Sequence, residues 1–150
     1  MKTAIIYYSK HHGNTKKVLD AIKMKYADVT LINVLEQENV DLSEYDLVGL
    51  ASGIYYSKFH KFMLKFAEQN LKNGTKVFFI YTYGVEKQGY TDAIRVVAEG
   101  KGAYVIGEYG CLGFNTFGPF KLIGGIAKGH PNDNELEGGI DFYQNLLKME

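Results

Sequence analysis

Short apolar runs and amphipathic stretches take turns along this chain, and few folds accept that rhythm. Thr3 to Tyr8 is apolar and aromatic, as a strand buried on both faces must be. Val29 to Val34, Leu47 to Ser52, Val77 to Tyr81 and Ala103 to Tyr109 repeat the pattern. After Gly13-Asn14-Thr15, Val18, Ile22 and Tyr26 recur every four residues, with lysines on the other face. Phe59, Phe62, Met63, Phe66 and Ala67 mark a second helix. Ile94 and Val97 mark a third, which Gly100 and Gly102 stop. A last helix begins near Asn132. There Asn132 and Glu135 have the spacing of a capping box, and Leu136, Ile140, Tyr143 and Leu147 form an apolar stripe.

This order predicts an α/β fold: a parallel sheet of about five strands with helices on both faces. Such sheets bind ligands at the carboxyl ends of their strands, where the strand order reverses. Three loops leave strands at that end: Ser9 to Thr15, Ser52 to Phe59 and Thr82 to Gly89. The stretch from Gly110 to Pro131 is irregular and rich in Gly and Phe.

With 150 residues and no linker or repeat, residues 1–150 are expected to form one domain. A single Cys excludes a disulfide scaffold and a C-x-x-C redox pair. Cys111 reads as an inert buried thiol. Basic and acidic residues balance at 17 each, so neither a nucleic acid nor an anionic membrane is expected as a partner. No apolar run approaches the roughly 20 residues of a membrane span, and the N-terminus carries no signal-peptide pattern, so a cytoplasmic setting is expected. The four histidines lack metal-site spacing, and no metal is expected. His60 reads as a residue that caps or flanks a helix.

The first loop, Tyr8-Ser9-Lys10-His11-His12-Gly13-Asn14-Thr15, has the makings of an anion cradle. Free N–H groups at a helix start point outward, and the helix dipole favours negative charge. Ser9 and Thr15 add hydroxyls, Asn14 adds an amide, and Gly13 lets the backbone turn close to a ligand. The plainer reading is a polar turn capped by Asn14 or Thr15. Competing phosphate motifs are missing: there is no Gly-Lys-Ser/Thr ending and no Gly-x-Gly-x-x-Gly. A phosphoacceptor domain of the same topology needs acidic residues after the first strand and an Asp after the third. Ser9 and Ser52-Gly53 stand there instead.

In this loop the chain resembles the flavodoxin family, whose first strand leads into a hydroxyl-rich loop ending in Thr-Gly-x-Thr. Ser9 matches the start of that motif and Gly13-Asn14-Thr15 its end, with His12 in place of Thr and one additional residue. The resemblance extends along the chain to Gly113-Phe114-Asn115-Thr116-Phe117-Gly118-Pro119, a segment found in shorter flavodoxin-like proteins. It implies a three-layer α/β/α sandwich with sheet order 2-1-3-4-5 and non-covalently bound flavin mononucleotide (FMN). Ser9, Lys10, His11, His12, Gly13, Asn14 and Thr15 are then expected around the phosphate, where protonated His11 and His12 would help neutralise the dianion.

The flavin ring needs flat apolar walls and backbone groups for its polar edge. Ser52 and Gly53 are expected to bring backbone near it, with Gly53 allowing a peptide flip. Ile54, Tyr55 and Tyr56 offer walls, whereas Phe59 reads as core. The chain has no Trp, so either a Tyr substitutes or the ring is more open. Thr82, Tyr83 and Gly84 are expected at the pyrimidine end and the other face, with Tyr83 stacking. The segment from Phe114 to Ile126 either covers the ring or forms a dimer contact.

The resemblance implies a flavodoxin-like electron carrier that shuttles one or two electrons between a reductase and an acceptor, as a monomer or weak homodimer. The alternative is an FMN-dependent oxidoreductase acting on a small substrate such as a quinone or a porphyrinogen. No catalytic side chain is assigned. Low-potential flavodoxins are typically acidic, and this chain is neutral, with Lys10, Lys58 and Lys61 near the expected site. A less negative potential for the last reduction step is expected.

Overall fold

A computed structural model describes residues 1–10, 12–116 and 118–149. Strands β1 (Thr3–Tyr8), β2 (Val29–Asn33), β3 (Leu47–Tyr55), β5 (Lys76–Tyr83) and β6 (Tyr104–Leu112) are parallel neighbours in the order β2-β1-β3-β5-β6. Counting these five long strands alone, that is the expected order 2-1-3-4-5. The two-residue strand β4 (Lys58–Phe59) folds back antiparallel on the end of β3, pairing Ile54 with Phe59 and Tyr55 with Lys58. Phe59 is thus a strand residue, not the first turn of a helix, although it is fully buried in the core as expected.

The alternation of side chains along β1 explains the two cores. Ala4, Ile6 and Tyr8 face one side, with Val48, Leu50, Phe79, and Met63, Phe66 and Ala67 of α2 (Lys61–Asn70) and Ile94 and Ala98 of α3 (Asp92–Gly100). Ile5 and Tyr7 face the other, with Ala51, Phe78, and Val18, Leu19 and Ile22 of α1 (Asn14–Lys25) and Ile140, Tyr143 and Leu146 of α4 (Asp133–Lys148). Both faces are therefore covered, which is what a parallel sheet requires. In the second core the Tyr143 hydroxyl donates to Thr3 Oγ1 at 2.7 Å, pinning α4 to the first strand. Gly49 occupies the middle of β3 because the Phe78 ring fills the space of a side chain; a Cβ there would lie 2.6 Å from Phe78 Cζ.

The capping box of α4 forms as the sequence predicts: Asn132 Oδ1 accepts from Glu135 N, and Glu135 Oε1 accepts from Asn132 N. Strands β3 and β6 each run three residues past their expected ends, to Tyr55 and Leu112. Both extensions carry the chain along the edge at which parallel strands open to ligands. A short 3-10 turn, Gly118–Ile123, lies within the irregular Gly110 to Pro131 stretch. Among the described residues, no helix is long and apolar enough to cross a membrane.

Candidate functional site

At the carboxyl ends of β1, β3, β5 and β6 lies an open cleft. It is lined by Ser9, Lys10, Asn14 and Thr15 from the first loop, by Gly53, Ile54 and Tyr55 from the end of β3, and by Thr82, Tyr83 and Gly84 from the end of β5. Three further residues complete the wall: Gly113, Phe114 and Asn115, just beyond β6. They were outside the expected binding set. The Gly-Phe-x-Thr motif was the available signal, and it leaves open whether that segment covers the site.

The first-loop end of the cleft is built around the start of α1. Gly13, in the left-handed region with φ 65°, is its N-cap and offers no side chain. His12 before it is also left-handed, φ 59°. Neither Asn14 nor Thr15 caps the helix, so the plain capped turn is not what forms. Each is tied elsewhere. Asn14 Nδ2 donates to the Phe114 carbonyl at 2.7 Å. Thr15 Oγ1 shares a buried 2.8 Å hydrogen bond with Thr82 Oγ1, and this joins the β1 and β5 loops. Ser9 Oγ accepts from Lys16 N at 3.0 Å, which leaves its own hydrogen to donate. The first turn of α1 contains no acidic residue. Its free N–H groups therefore present an uncancelled positive end to the cleft.

Asn14 Oδ1 is buried and, among the described residues, has no hydrogen-bond partner. An unsatisfied buried acceptor costs about 1–3 kcal/mol, so this atom has room for a donor from outside the described residues.

The other end has two braced aromatic walls. Tyr55 meets Tyr8 edge-on, with centroids 5.6 Å apart, and His60 edge-on at 5.0 Å; His60 stacks on Tyr8 at 3.8 Å. His60 Nδ1 accepts from Phe62 N and so caps α2, as its position predicts. Burial first, and then the Lys61 charge, hold the His60 imidazole below its ordinary pKa. Opposite, Tyr83 packs on Tyr90 at 5.6 Å and Tyr81 at 5.9 Å, and the Tyr90 hydroxyl fixes the Val85 carbonyl at 2.6 Å. A second groove adjoins the cleft and shares Ile54, Tyr83, Gly84 and Asn115 with it; Tyr56, Val85, Lys87, Tyr90 and Phe120 line its far side.

The remaining expected residues fall as follows. Ser52 is fully buried behind the cleft wall, where its hydroxyl donates to the Gly53 carbonyl and accepts from His60 N. It supports the loop and does not line the cleft. His12 leans over the entrance: Nε2 lies 2.8 Å from Thr116 Oγ1, and its ring packs on Phe114 at 4.5 Å. Tyr56 lines the adjoining groove and not the cleft. His11 lies outside the described residues, as does Phe117 of the C-terminal motif. Cys111 is buried, and burial with the nearby Glu135 charge pushes its thiol up to about 12. Among the described residues, no three His, Cys, Asp or Glu side chains gather as a metal set.

Comparison with known proteins bears on this arrangement. The family model for the flavodoxin domain matches residues 5–101. An uncharacterized protein of Methanocaldococcus jannaschii is 36% identical over 151 residues, covering 99% of both chains. Among solved structures, oxidised flavodoxin 2 of Bacillus cereus has TM-score 0.73 at 16% identity, covering 100% of both chains. The flavodoxin of Fusobacterium nucleatum bound to flavin mononucleotide has TM-score 0.69 at 18% identity, covering 99% of both.

Proposed function

The chain belongs to the flavodoxin family, and from that premise we propose that it binds FMN in this cleft and carries electrons between redox partner proteins. The observation that carries the reading is the first-loop end: a helix start whose N-cap is a glycine and whose first turn has no acid, beside a buried Asn14 Oδ1 that has no donor among the described residues. A phosphate suits the helix start, because its N–H groups and dipole complement a dianion. A ribityl hydroxyl suits Asn14 Oδ1, because that atom can only accept. The structure of the Fusobacterium nucleatum relative with its bound flavin mononucleotide supports the same ligand class.

The chain's own residues divide the work by position. Ser9 has a hydroxyl hydrogen to give the phosphate, and Lys10 adds charge at the rim. Tyr55 and Tyr83, each held by its own aromatic neighbours, form apolar walls that exclude water from a flat ring. Gly53 and Gly84 also line the cleft, and their backbone is a source of edge hydrogen bonds. FMN, when bound, supplies the one- and two-electron chemistry, and the protein tunes it through stacking, hydrogen bonding and charge.

The test is a visible spectrum of purified protein before and after FMN is added and the excess removed, followed by stepwise reduction. Retained flavin bands with a distinct one-electron stage are expected, without turnover of a nicotinamide donor. A colourless protein that refuses FMN overturns the reading. Steady turnover of a quinone or porphyrinogen by the isolated protein would make it an enzyme instead.

A further inference from the structure

Overall neutrality conceals a strong separation of charge. Four stretches of sequence each contribute lining residues to the cleft or its adjoining groove: residues 9–13, 53–61, 84–91 and 113–131. Together they hold six lysines, at 10, 58, 61, 87, 121 and 128, against one acid, Glu86. Six positive charges less one negative leave these stretches at +5. Because the chain sums to zero, the remainder carries −5. All four histidines fall on the same stretches. The acids at this end of the sheet stand outside them. Glu36, Glu38 and Asp41 follow the edge strand β2. Asp92, Asp133 and Glu135 occupy the first turns of α3 and α4, where each helix dipole favours a carboxylate.

The same face exposes apolar side chains. Tyr56 is 84% exposed and Val85 45%, and both line the adjoining groove with Phe120. Leu122, 88% exposed, and Ile123, 72%, follow Phe120 in the same 3-10 turn. An apolar centre within a charged rim is the anatomy of a protein interface. The centre here is concave, with Ile54 and Tyr90 at its base. That shape receives the side chains of a folded partner, whereas a bilayer surface favours a flat or convex apolar face.

We propose that this face docks an acidic protein, whose carboxylates meet Lys58, Lys61, Lys87 and Lys121 around the groove of Tyr56, Val85 and Phe120. That the partner is a redox protein rests on the flavin reading above; that it is acidic rests on the charge pattern alone. The excess of lysine in these stretches favours the approach of such a partner.

The test uses two haem proteins of opposite charge as probes, acidic cytochrome b5 and basic cytochrome c. Each is titrated into the isotopically labelled full chain, once without flavin and once with FMN present. Amide shifts from cytochrome b5 are expected at Tyr56, Val85, Leu122 and Ile123 in both samples, and they should vanish in about 1 M salt, where the screening length falls to about 3 Å. The double variant Lys87→Glu, Lys121→Glu should weaken cytochrome b5 binding by about fivefold or more. The proposal is overturned if cytochrome c binds this face instead, if cytochrome b5 shifts are absent or scattered over the whole surface, or if the double variant binds as well as the parent. It is equally overturned if the face binds phosphatidylglycerol vesicles and not cytochrome b5. Because docking is read without flavin as well, a protein that refuses FMN sinks the functional reading and leaves this one to its own result.

Discussion

Single atoms decide how the cleft treats its ligand. Asn14 donates to the Phe114 carbonyl, and its Oδ1 has no donor among the described residues. Asn14→Asp removes that donated bond and sets a carboxylate at the helix start, where a phosphate would lie. FMN affinity is expected to fall about 10–100-fold, about 1.4–2.8 kcal/mol, because the carboxylate repels the phosphate. Riboflavin, which has no phosphate, should lose much less; parallel fluorescence titrations with both ligands check this. Cys111 makes a second prediction. Its thiol stays protonated to about pH 12 in the folded protein, whereas an unfolded thiol ionises near 8.5. The folded state thus binds more protons between those values, and stability falls as pH rises through that window. Tyr81 and Tyr109, also pushed up to about 12 mainly by burial, add to the upper part of the same slope. Native protein at pH 8 should resist thiol reagents, with labelling appearing only on denaturation, and thermal melts from pH 8 to 10.5 should show the decline.

The elements show which parts of the design the sequence discloses. The long strands, the four helices and their order follow from periodicity, because each element buries a face whose spacing marks it. The capping box at Asn132 and Glu135 is legible for the same reason, being local chemistry. The β3–β4 hairpin is not. Phe59, Phe62, Met63 and Phe66 have helical spacing, yet Phe59 reaches the core from a strand. The turn between them, Tyr56-Ser57, takes left-handed φ values of 53° and 65° without the Gly or Asn that usually signals such a turn. Gly113 to Asn115 is hidden in another way. It becomes a wall only because β6 runs on to Leu112 beside β5, where Gly113 N donates to the Tyr83 carbonyl. No local pattern encodes that contact. Ser52, expected to bring backbone near the ring, is buried at the end of β3 with its hydroxyl engaged by the Gly53 carbonyl and His60 N. His60 carries the prediction at this scale. It caps α2 as a hydrogen-bond acceptor and must be neutral to do so. Its folded pKa lies below the ordinary value, so below about pH 6.5 the unfolded chain takes up the proton first and stability falls with acidification. His60→Asn keeps an acceptor cap without titrating. Melts at pH 7 and pH 5 should show a smaller acid loss in the variant than in the parent.

For the molecule as a whole, the separation of charge matters more than its sum. A reduced, anionic ligand in the cleft would sit beside Lys10, among loop stretches whose charges sum to +5, and nearby positive charge favours adding an electron. The last reduction potential is expected to be less negative than that of an acidic flavodoxin, and Lys58→Glu with Lys61→Glu should lower it. A redox titration of the FMN-loaded protein and this variant, side by side at low salt, measures both.

The tyrosines that brace the cleft have an optical consequence. With no tryptophan in the chain, ultraviolet emission comes from tyrosine alone. Tyr55 and Tyr83 wall the cleft, with Tyr8, Tyr81 and Tyr90 packed behind them. A yellow ligand seated between them accepts their excitation energy over so short a range that the emission dims in step with occupancy. The protein therefore carries its own gauge of filling, readable without a label at the moment FMN is added.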